Sequence, residues 1–443
     1  MSRQMKDSGI EWIGEIPETW KVVSLKRVKD CDHPYPIGDG DHGSIKPEHY
    51  QDEGVPYIRV QNLSWGGNLL LDDVVYISEM INDANEKSKL RPHDILIAKT
   101  GGTIGKTGII PDNIPTANTT SSVGKITVSE LESYKYVFYL LSSDVCYQQM
   151  WDKARQKSAQ PGFNIEDFVD FKIPLPEKEE QERIAGYLDQ QCAHIDAVIE
   201  KTKASIEEYK KLKQAVITQA VTKGIRGNRP MKDSGMKWVK KIPADWNSIN
   251  PKALFTQRKD KAFEGERQLT ASQQYGVIYQ DEYMAITGAK VVTVEKDFNI
   301  LKHVESGDFV ISMRSFQGGL EYSEITGSIS SAYVMLIPNL ELVYPRFYKW
   351  LLKSSVYINA LQSTSDLVRD GQAMRYSNFA QVRLYKVPLE EQIEIADYLN
   401  DKCSKIDELI KEKSLFLSEI ENYKKSLIYE YVTGKKEVPR SCQ

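Results

Sequence analysis

Two internal repeats run through this chain, and they are out of step with each other. The stretch "MKDSGIEWIGEIPETW" at residues 5–20 returns as "MKDSGMKWVKKIPADW" at residues 231–246, 226 positions later, with nine of sixteen residues identical. A second pair, "EQERIAGYLDQQCAHIDAVI" at 180–199 and "EQIEIADYLNDKCSKIDELI" at 391–410, repeats at 211 and stays in register as far as Val221-Thr222 and Val432-Thr433. The segment between the repeated pieces is therefore 15 residues shorter in the second copy than in the first. Such a chain must build one frame twice and hang a different insert on each copy. Its 443 residues also exceed one ordinary core, so two or three domains are expected.

Both copies of the second repeat read as long helices. Leu188, Cys192, Ile195, Ile199, Thr202, Ile206, Tyr209, Lys213, Val216 and Ala220 alternate in steps of four and three. Leu399, Cys403, Ile406, Ile410, Lys413, Leu417, Ile420, Lys424, Leu427 and Tyr431 keep the same register. This is a heptad seam that must be buried. Pro174, Pro176 and Pro388 mark the helix starts, and Gly224 and Gly434 the ends. Some forty residues at about 1.5 Å each give a rod of roughly 60 Å. The economical partner for each seam is the other copy, folded back as an antiparallel pair. Independent surface helices, or pairing between chains, are the alternatives.

The inserts, residues 21–173 and 247–386, share little sequence, but both show short β-rich runs with turn signals, such as "VPYIRV" and "DILIAKT" in one and "KVVTV" and "DFVISMR" in the other. The expected fold class is α+β: two β-rich mixed domains joined by two long helices as an antiparallel coiled coil with a pseudo-twofold internal repeat. The expected boundaries are 1–176, a central helix 177–226, 227–388, a distal helix 389–435 and a tail 436–443.

Composition limits the functions open to the chain. With 41% hydrophobic and 27% charged residues it reads as globular; no apolar run is long enough for a membrane span, and the N-terminus lacks a secretory pattern, so a cytoplasmic protein is expected. Cys31, Cys146, Cys192, Cys403 and Cys442 lie far apart, so free thiols are expected and no metal site. "GTIGKTG" fails as a phosphate loop because Thr100 stands where glycine is needed, and "GDGDHG" at 38–43 follows prolines rather than a strand. No catalytic signature of hydrolases, zinc enzymes or base amino-methyltransferases occurs, so no enzyme activity is expected.

What remains are basic, polar windows at matching places. "ILIAKTGGTIGKTGIIP" (95–111) and "FVISMRSFQGG" (309–319) contain no acid, and each follows an aspartate, Asp94 or Asp308. "KARQKSAQPG" (153–162) and "DLVRDGQAMRYSNFAQVR" (366–383) come later in each insert. Arg and Lys clamp phosphate or reach guanine edges, and Gln reads adenine. Solvated loops are often basic too; it is the duplication of the windows that favours an acidic polymer. The net charge of −4 suits a protein that borrows phosphate contacts from partners.

The arrangement resembles the specificity subunits of type I restriction–modification systems. The resemblance covers nearly the whole chain and rests on the doubled "SGIEWIGEIPETW" motif, the openings "EQERIAGYL" and "EQIEIADYL", and the helix ends "VTKG" and "VTGK". It rests also on "DGDHG" with "GVPYIRVQNL", and on "GDFVISMRSFQGGLEYS", "GSISSAY" and "GQAMRYSNF". It implies two target recognition domains, each reading half of a split, asymmetric site in double-stranded DNA, with the paired helices setting the gap. It further implies two methyltransferase (modification) subunits that bind S-adenosylmethionine, and restriction motor-nuclease subunits that use ATP and Mg, docked on a chain that carries neither cofactor. The residues expected to contact DNA are His42, Lys99, Thr100, Thr103, Lys106, Arg155, Lys157 and Gln160 in the first domain. In the second they are Gln273, Tyr275, Arg314, Ser315, Gln317, Arg369, Gln372 and Arg375. The rival reading is a coiled-coil scaffold that presents two domains to protein partners.

Overall fold

The computed structural model describes residues 3–156, 161–294, 300–312, 315–364 and 374–439. The chain divides into two compact units, Met1–Thr202 with Phe416–Gln443, and Lys203–Leu415. The two long helices are Lys178–Lys223 and Leu389–Val432, and each unit takes a part of both. Each helix ends at a glycine of positive φ, 72° at Gly224 and 69° at Gly434, as the sequence predicts. At Gly434 a Cβ would also stand 2.5 Å from the Pro17 ring, so packing demands glycine there as well.

In the first unit the helices run antiparallel. Tyr187 packs on Tyr431 with ring centroids 4.7 Å apart, and Asp196 meets Lys424 at 2.7 Å, so the partner's number falls as the first rises. Leu188, Cys192, Ile195, Ile199, Leu427 and Tyr431 are buried along this seam. The start motif docks on the helix. Trp20 is buried and donates its Nε1–H to Glu180 at 3.0 Å, while Arg3 pairs with the same carboxylate at 2.7 Å. Gln181, fully buried, accepts from the Ser133 amide and donates to the Pro176 carbonyl, both at 2.9 Å. Strand Lys21–Ser24 pairs with Lys172–Leu175 and closes the insert on itself.

That insert carries two four-stranded sheets. One has the order Ile37–Asp39, Val123–Ile126, Ile95–Ala98, Thr107–Ile109, all antiparallel. The other has Val75–Ile77, Val55–Ile58, Ala117–Thr119, Lys89–Leu90, with one parallel pairing. "ILIA" at 95–98 is apolar throughout because both of its faces are covered. Ile95 and Ile97 join the core that includes the helices, and Leu96 and Ala98 join the core shared with the second sheet.

The second unit repeats the frame with equivalent residues. Trp246 is buried and donates to Glu391 at 2.9 Å, and Arg229 pairs with Glu391. Gln392 accepts from the Tyr344 amide at 2.7 Å and donates to the Val387 carbonyl at 2.9 Å. Lys213 meets Asp407 at 2.6 Å, and Lys413 lies 5.7 Å from the Tyr209 ring centroid, again in antiparallel order. Strand Asn247–Ile249 pairs with Leu384–Lys386. The sheet Phe255–Arg258, Val334–Pro338, Phe309–Ile311, Glu321–Tyr322 has the connectivity of the first unit's all-antiparallel sheet. Where the first unit has a second four-stranded sheet, this one has two-stranded pairs, Leu269–Ser272 with Gly276–Tyr279 and Lys302–Val304 with Gly327–Ile329. The architecture is thus α+β, with two β-rich units and an antiparallel helix pair.

The sequence predicts that Trp12, Trp20, Trp238 and Trp246 all lie near the long helices. Trp20 and Trp246 touch them through their indole N–H groups, and the Trp12 carbonyl accepts from Tyr429 at 3.1 Å. Trp238 differs. It stacks on Tyr385 at 5.6 Å and donates to the Arg383 carbonyl, and Thr218 stands on the first helix at the position equivalent to Tyr429. Among the described residues Cys31, Cys146, Cys192 and Cys403 are unbridged, and no helix is long and apolar enough to cross a membrane. Burial pushes the Cys192 thiol up to about 11, and it raises the Cys403 thiol too, in the equivalent seam position.

Candidate nucleic-acid interface

The two windows that follow Asp94 and Asp308 occupy equivalent strand ends. Each aspartate is buried and accepts the backbone amide three residues before it, Arg91 N–H at 3.0 Å and Glu305 N–H at 3.0 Å. Asp94 also accepts from Thr127 at 2.5 Å; burial raises its carboxyl, with the Thr127 bond opposing. Asp308 instead takes a two-pronged bond from Arg258, at 2.6 and 3.0 Å, which holds the guanidinium pKa above its usual value. Both carboxylates fix the strand whose far end carries the polar turn. They are scaffolding for the turn, not part of its surface.

In the first unit this turn gathers several expected residues. Thr100 opens the Gly101–Thr103 turn, and Thr103 donates its hydroxyl to the Thr100 carbonyl at 2.9 Å. Lys106 is half-buried and makes no ion pair or hydrogen bond through its side chain with a described residue. The later window joins the same rim: Gly101 N–H donates to Pro161 O at 2.9 Å, and Phe163 N–H to Lys99 O at 3.2 Å. Arg155, exposed, caps the C-terminal end of helix Asp144–Ala154. Lys157 and Gln160 lie outside the described residues.

Lys99 departs from expectation. Its side chain is 7% exposed and its Nζ sits 2.5 Å from Asp39, so this cation is spent inside the fold. Asp39 also takes His42, whose ring is exposed, at 3.2 Å. The loop 38–43 is held fast. Asp41 accepts the Gly43 and Ile45 amides at 2.9 Å and binds the Tyr57 hydroxyl, and a Cβ on Gly40 would stand 2.1 Å from the Thr119 carbonyl oxygen. Beside it opens a cleft of about 370 Å³ lined by Asp41, Tyr57, Arg59, Ser121 and Ser122.

In the second unit Gln273 and Tyr275 stand exposed on the turn between strands Leu269–Ser272 and Gly276–Tyr279. A Cβ on Gly318 would meet the Gln273 side chain at 2.5 Å, so this turn lies against the turn bearing exposed Gln317. Ser315 is the second departure. It is 1% exposed, and its hydroxyl oxygen accepts the Ser312 amide at 2.8 Å, so it shapes the turn from within. Arg375 is exposed at the start of helix Tyr376–Gln381. Arg314, Arg369 and Gln372 lie outside the described residues.

Sequence reasoning missed Trp65 and Tyr147. Trp65 is 59% exposed on the turn "SWGGN" at 64–68, and its ring meets Tyr147 edge-on at 6.4 Å. A Cβ on Gly105 would touch both rings, at 3.6 and 2.7 Å, which places them beside Lys106. An aromatic flanked by Ser and Gly-Gly was the available signal.

A model of the family described as type I restriction modification DNA specificity domain matches residues 17–208. The type I restriction enzyme MjaVIII specificity subunit of Methanocaldococcus jannaschii is 30% identical over 218 residues, 48% of this chain and 48% of that protein. This match thus spans about half the length of that relative. The putative type I restriction enzyme MjaX specificity subunit of the same organism is 24% identical over 442 residues, 96% of this chain and 95% of that one. A solved chain, from work described as the structural basis underlying complex assembly and conformational transition of the type I R-M system, shares the fold. Its TM-score is 0.69 at 16% identity, covering 95% of this chain and 99% of that one.

Proposed function

We propose, on the premise that this chain belongs to the family of type I restriction–modification specificity subunits, that it chooses the DNA site for a methylating complex and performs no chemistry itself. The observation that carries this is the doubled frame with unlike inserts. Trp20–Glu180–Arg3 recurs as Trp246–Glu391–Arg229, whereas the inserts share one sheet's connectivity and differ in the rest, a second four-stranded sheet in one and two-stranded pairs in the other. One frame used twice suits a duplex whose backbone has twofold geometry. Two unlike inserts suit two unlike half-sites, hence a bipartite asymmetric target. The recognition domains on this reading are residues 1–176 and 227–388.

Base and phosphate contacts come from the turns at strand ends. The accessible candidates are His42, Thr100, Thr103, Lys106 and Arg155 in one domain and Gln273, Tyr275, Gln317 and Arg375 in the other. Arg314, Arg369, Gln372, Lys157 and Gln160 belong to the same windows by sequence. Two modification subunits would dock on this chain and supply S-adenosylmethionine, and restriction subunits would supply ATP-driven cleavage, in the cytoplasm where the DNA lies. The test is to map methylated bases across the source genome with the chain present and deleted. A bipartite motif should vanish on deletion; no change in any motif would refute the proposal. A scaffold that never touches DNA would also show no salt-dependent duplex binding in complex with its methyltransferase.

A further inference from the structure

Exposure alone says little of Trp65, since Leu131 at 77% and Val292 at 89% are barer still. What distinguishes Trp65 is how firmly it is held, and beside what. The turn that bears it is pinned to strand Thr107–Ile109 by reciprocal backbone bonds between Ser64 and Thr107, at 3.4 and 3.1 Å, and Asn68 N–H closes it on Ser64 Oγ at 2.8 Å. Gly67 has φ 82° and sits where a Cβ would be 2.3 Å from the Phe138 ring, so the turn cannot move outward from its base without losing that packing. Tyr147 braces the indole edge-on. Lys106 adjoins through Gly105, and Arg155 lies two turns along from Tyr147 on the same helix. Neither cation makes an ion pair with a described residue. A rigid, exposed indole beside the turn that bears Lys106, with Arg155 at the end of the helix that bears Tyr147, is what a stacking wedge against a charged backbone requires.

We propose that Trp65 inserts at a base step of the half-site read by the first domain and partly unstacks it, while Lys106 and Arg155 hold the flanking phosphates. The inference rests on the DNA-recognition reading above. Apolar wedges open a step toward a bent duplex, and the indole face stacks on whichever base is freed, so Trp65 supplies affinity and shape selection more than base identity.

The test uses the full chain in complex with its methyltransferase subunits and duplexes that carry the mapped site, with 2-aminopurine placed at successive steps. The wild-type complex should raise the fluorescence at one step within the first half-site. Trp65→Ala should abolish that rise and weaken binding roughly tenfold to a hundredfold with the salt dependence unchanged. Trp65→Phe should restore most of both. A full fluorescence rise with Trp65→Ala, or unaltered affinity, overturns the wedge while leaving DNA recognition standing. Loss of subunit assembly in Trp65→Ala, with duplex binding by assembled complexes unchanged, assigns the indole to a protein partner and likewise overturns it. Failure of the wild-type complex to bind any duplex removes the recognition reading itself, and the wedge with it.

Discussion

Lys99 and Lys106 stand seven residues apart in one basic window, yet their surroundings give them different work. Lys99 is locked to Asp39, sixty residues away in sequence, and holds the 38–43 loop against the sheet. Lys106, half-buried, and Arg155, exposed, make no ion pair with a described residue. Each phosphate contact contributes about 0.9 to the slope of log K against log salt. On the proposed function, Lys106→Ala and Arg155→Ala should each flatten the slope by about one, measured by titrating cognate duplex at several salt concentrations. Lys99→Met should leave the slope intact and weaken cognate binding through the displaced loop. A slope change for Lys99→Met equal to that for Lys106→Ala would return Lys99 to the phosphate surface. The paired frame carboxylates offer a second contrast. Glu391 is fully buried, while Glu180 is 23% exposed. Glu391→Ala leaves the buried Trp246 N–H without an acceptor, while Arg229 keeps Asp245 at 2.5 Å, and should cost about 2 kcal/mol. Glu180→Ala, which water can reach, should cost about 1 kcal/mol. Urea unfolding of each variant, followed by hydrogen exchange of the start motif, checks the order; equal costs would mean that burial is not the deciding factor.

At the scale of the helices, the question is why lysines sit in an apolar seam. Lys213 and Lys424 are equivalent positions, and so are Asp196 and Asp407. Each lysine finds the aspartate of the other copy, Lys424 with Asp196 and Lys213 with Asp407. A slip of one heptad would set Lys213 opposite Asn400 or Ser414, and Lys424 opposite Lys203 or Asp189, so the Lys213 pair selects register against a slip either way and the Lys424 pair against one, at a cost in seam hydrophobicity. The charge-reversal Lys213→Asp should destabilise the second unit, and adding Asp407→Lys should restore it. With Asp407 half-exposed, the coupling should be about 0.5 kcal/mol, and about 1 kcal/mol for the less exposed Lys424–Asp196 pair. A double-mutant cycle by denaturant unfolding measures both, and a double variant no better than the single one would discard the register role. These helices were the most legible part of the sequence. The heptad, the prolines before and the glycines after are local signals, and the helices observed, Lys178–Lys223 and Leu389–Val432, follow from them. The interface was less legible because side-chain direction in a turn is decided by distant partners. Asp39 turns Lys99 inward, the Ser312 amide turns Ser315 inward, and Phe138 packed against Gly67 holds the Trp65 turn. Spacing within the windows encodes none of these contacts.

For the molecule as a whole, the two copies of the frame close their inserts with the same strand pairing. Lys21 faces Leu175 in one, and Asn247 faces Lys386 in the other, at equivalent positions of the repeats. Even where residues differ, the frame's needs are met alike. The Val432 carbonyl at the end of the second helix accepts from Tyr136, and the equivalent Val221 carbonyl accepts from Tyr385, a tyrosine at another place in its insert. The insert is therefore a cassette between two fixed points, each carrying its own tyrosine for the frame's carbonyl. A chain in which residues 21–175 also replace 247–386 should fold with both strand pairs in register and, on the proposed function, assemble with methyltransferase subunits. Because the helix segments of the two copies run antiparallel within each unit, equivalent frame residues exchange places. The doubled chain should then direct methylation to a site whose halves are inverted copies of the half read by the first domain. Methylation mapping in cells that carry only this chain decides the matter. A direct repeat would refute this expectation, and persistence of the original asymmetric motif would show that bases are read by something other than the inserts.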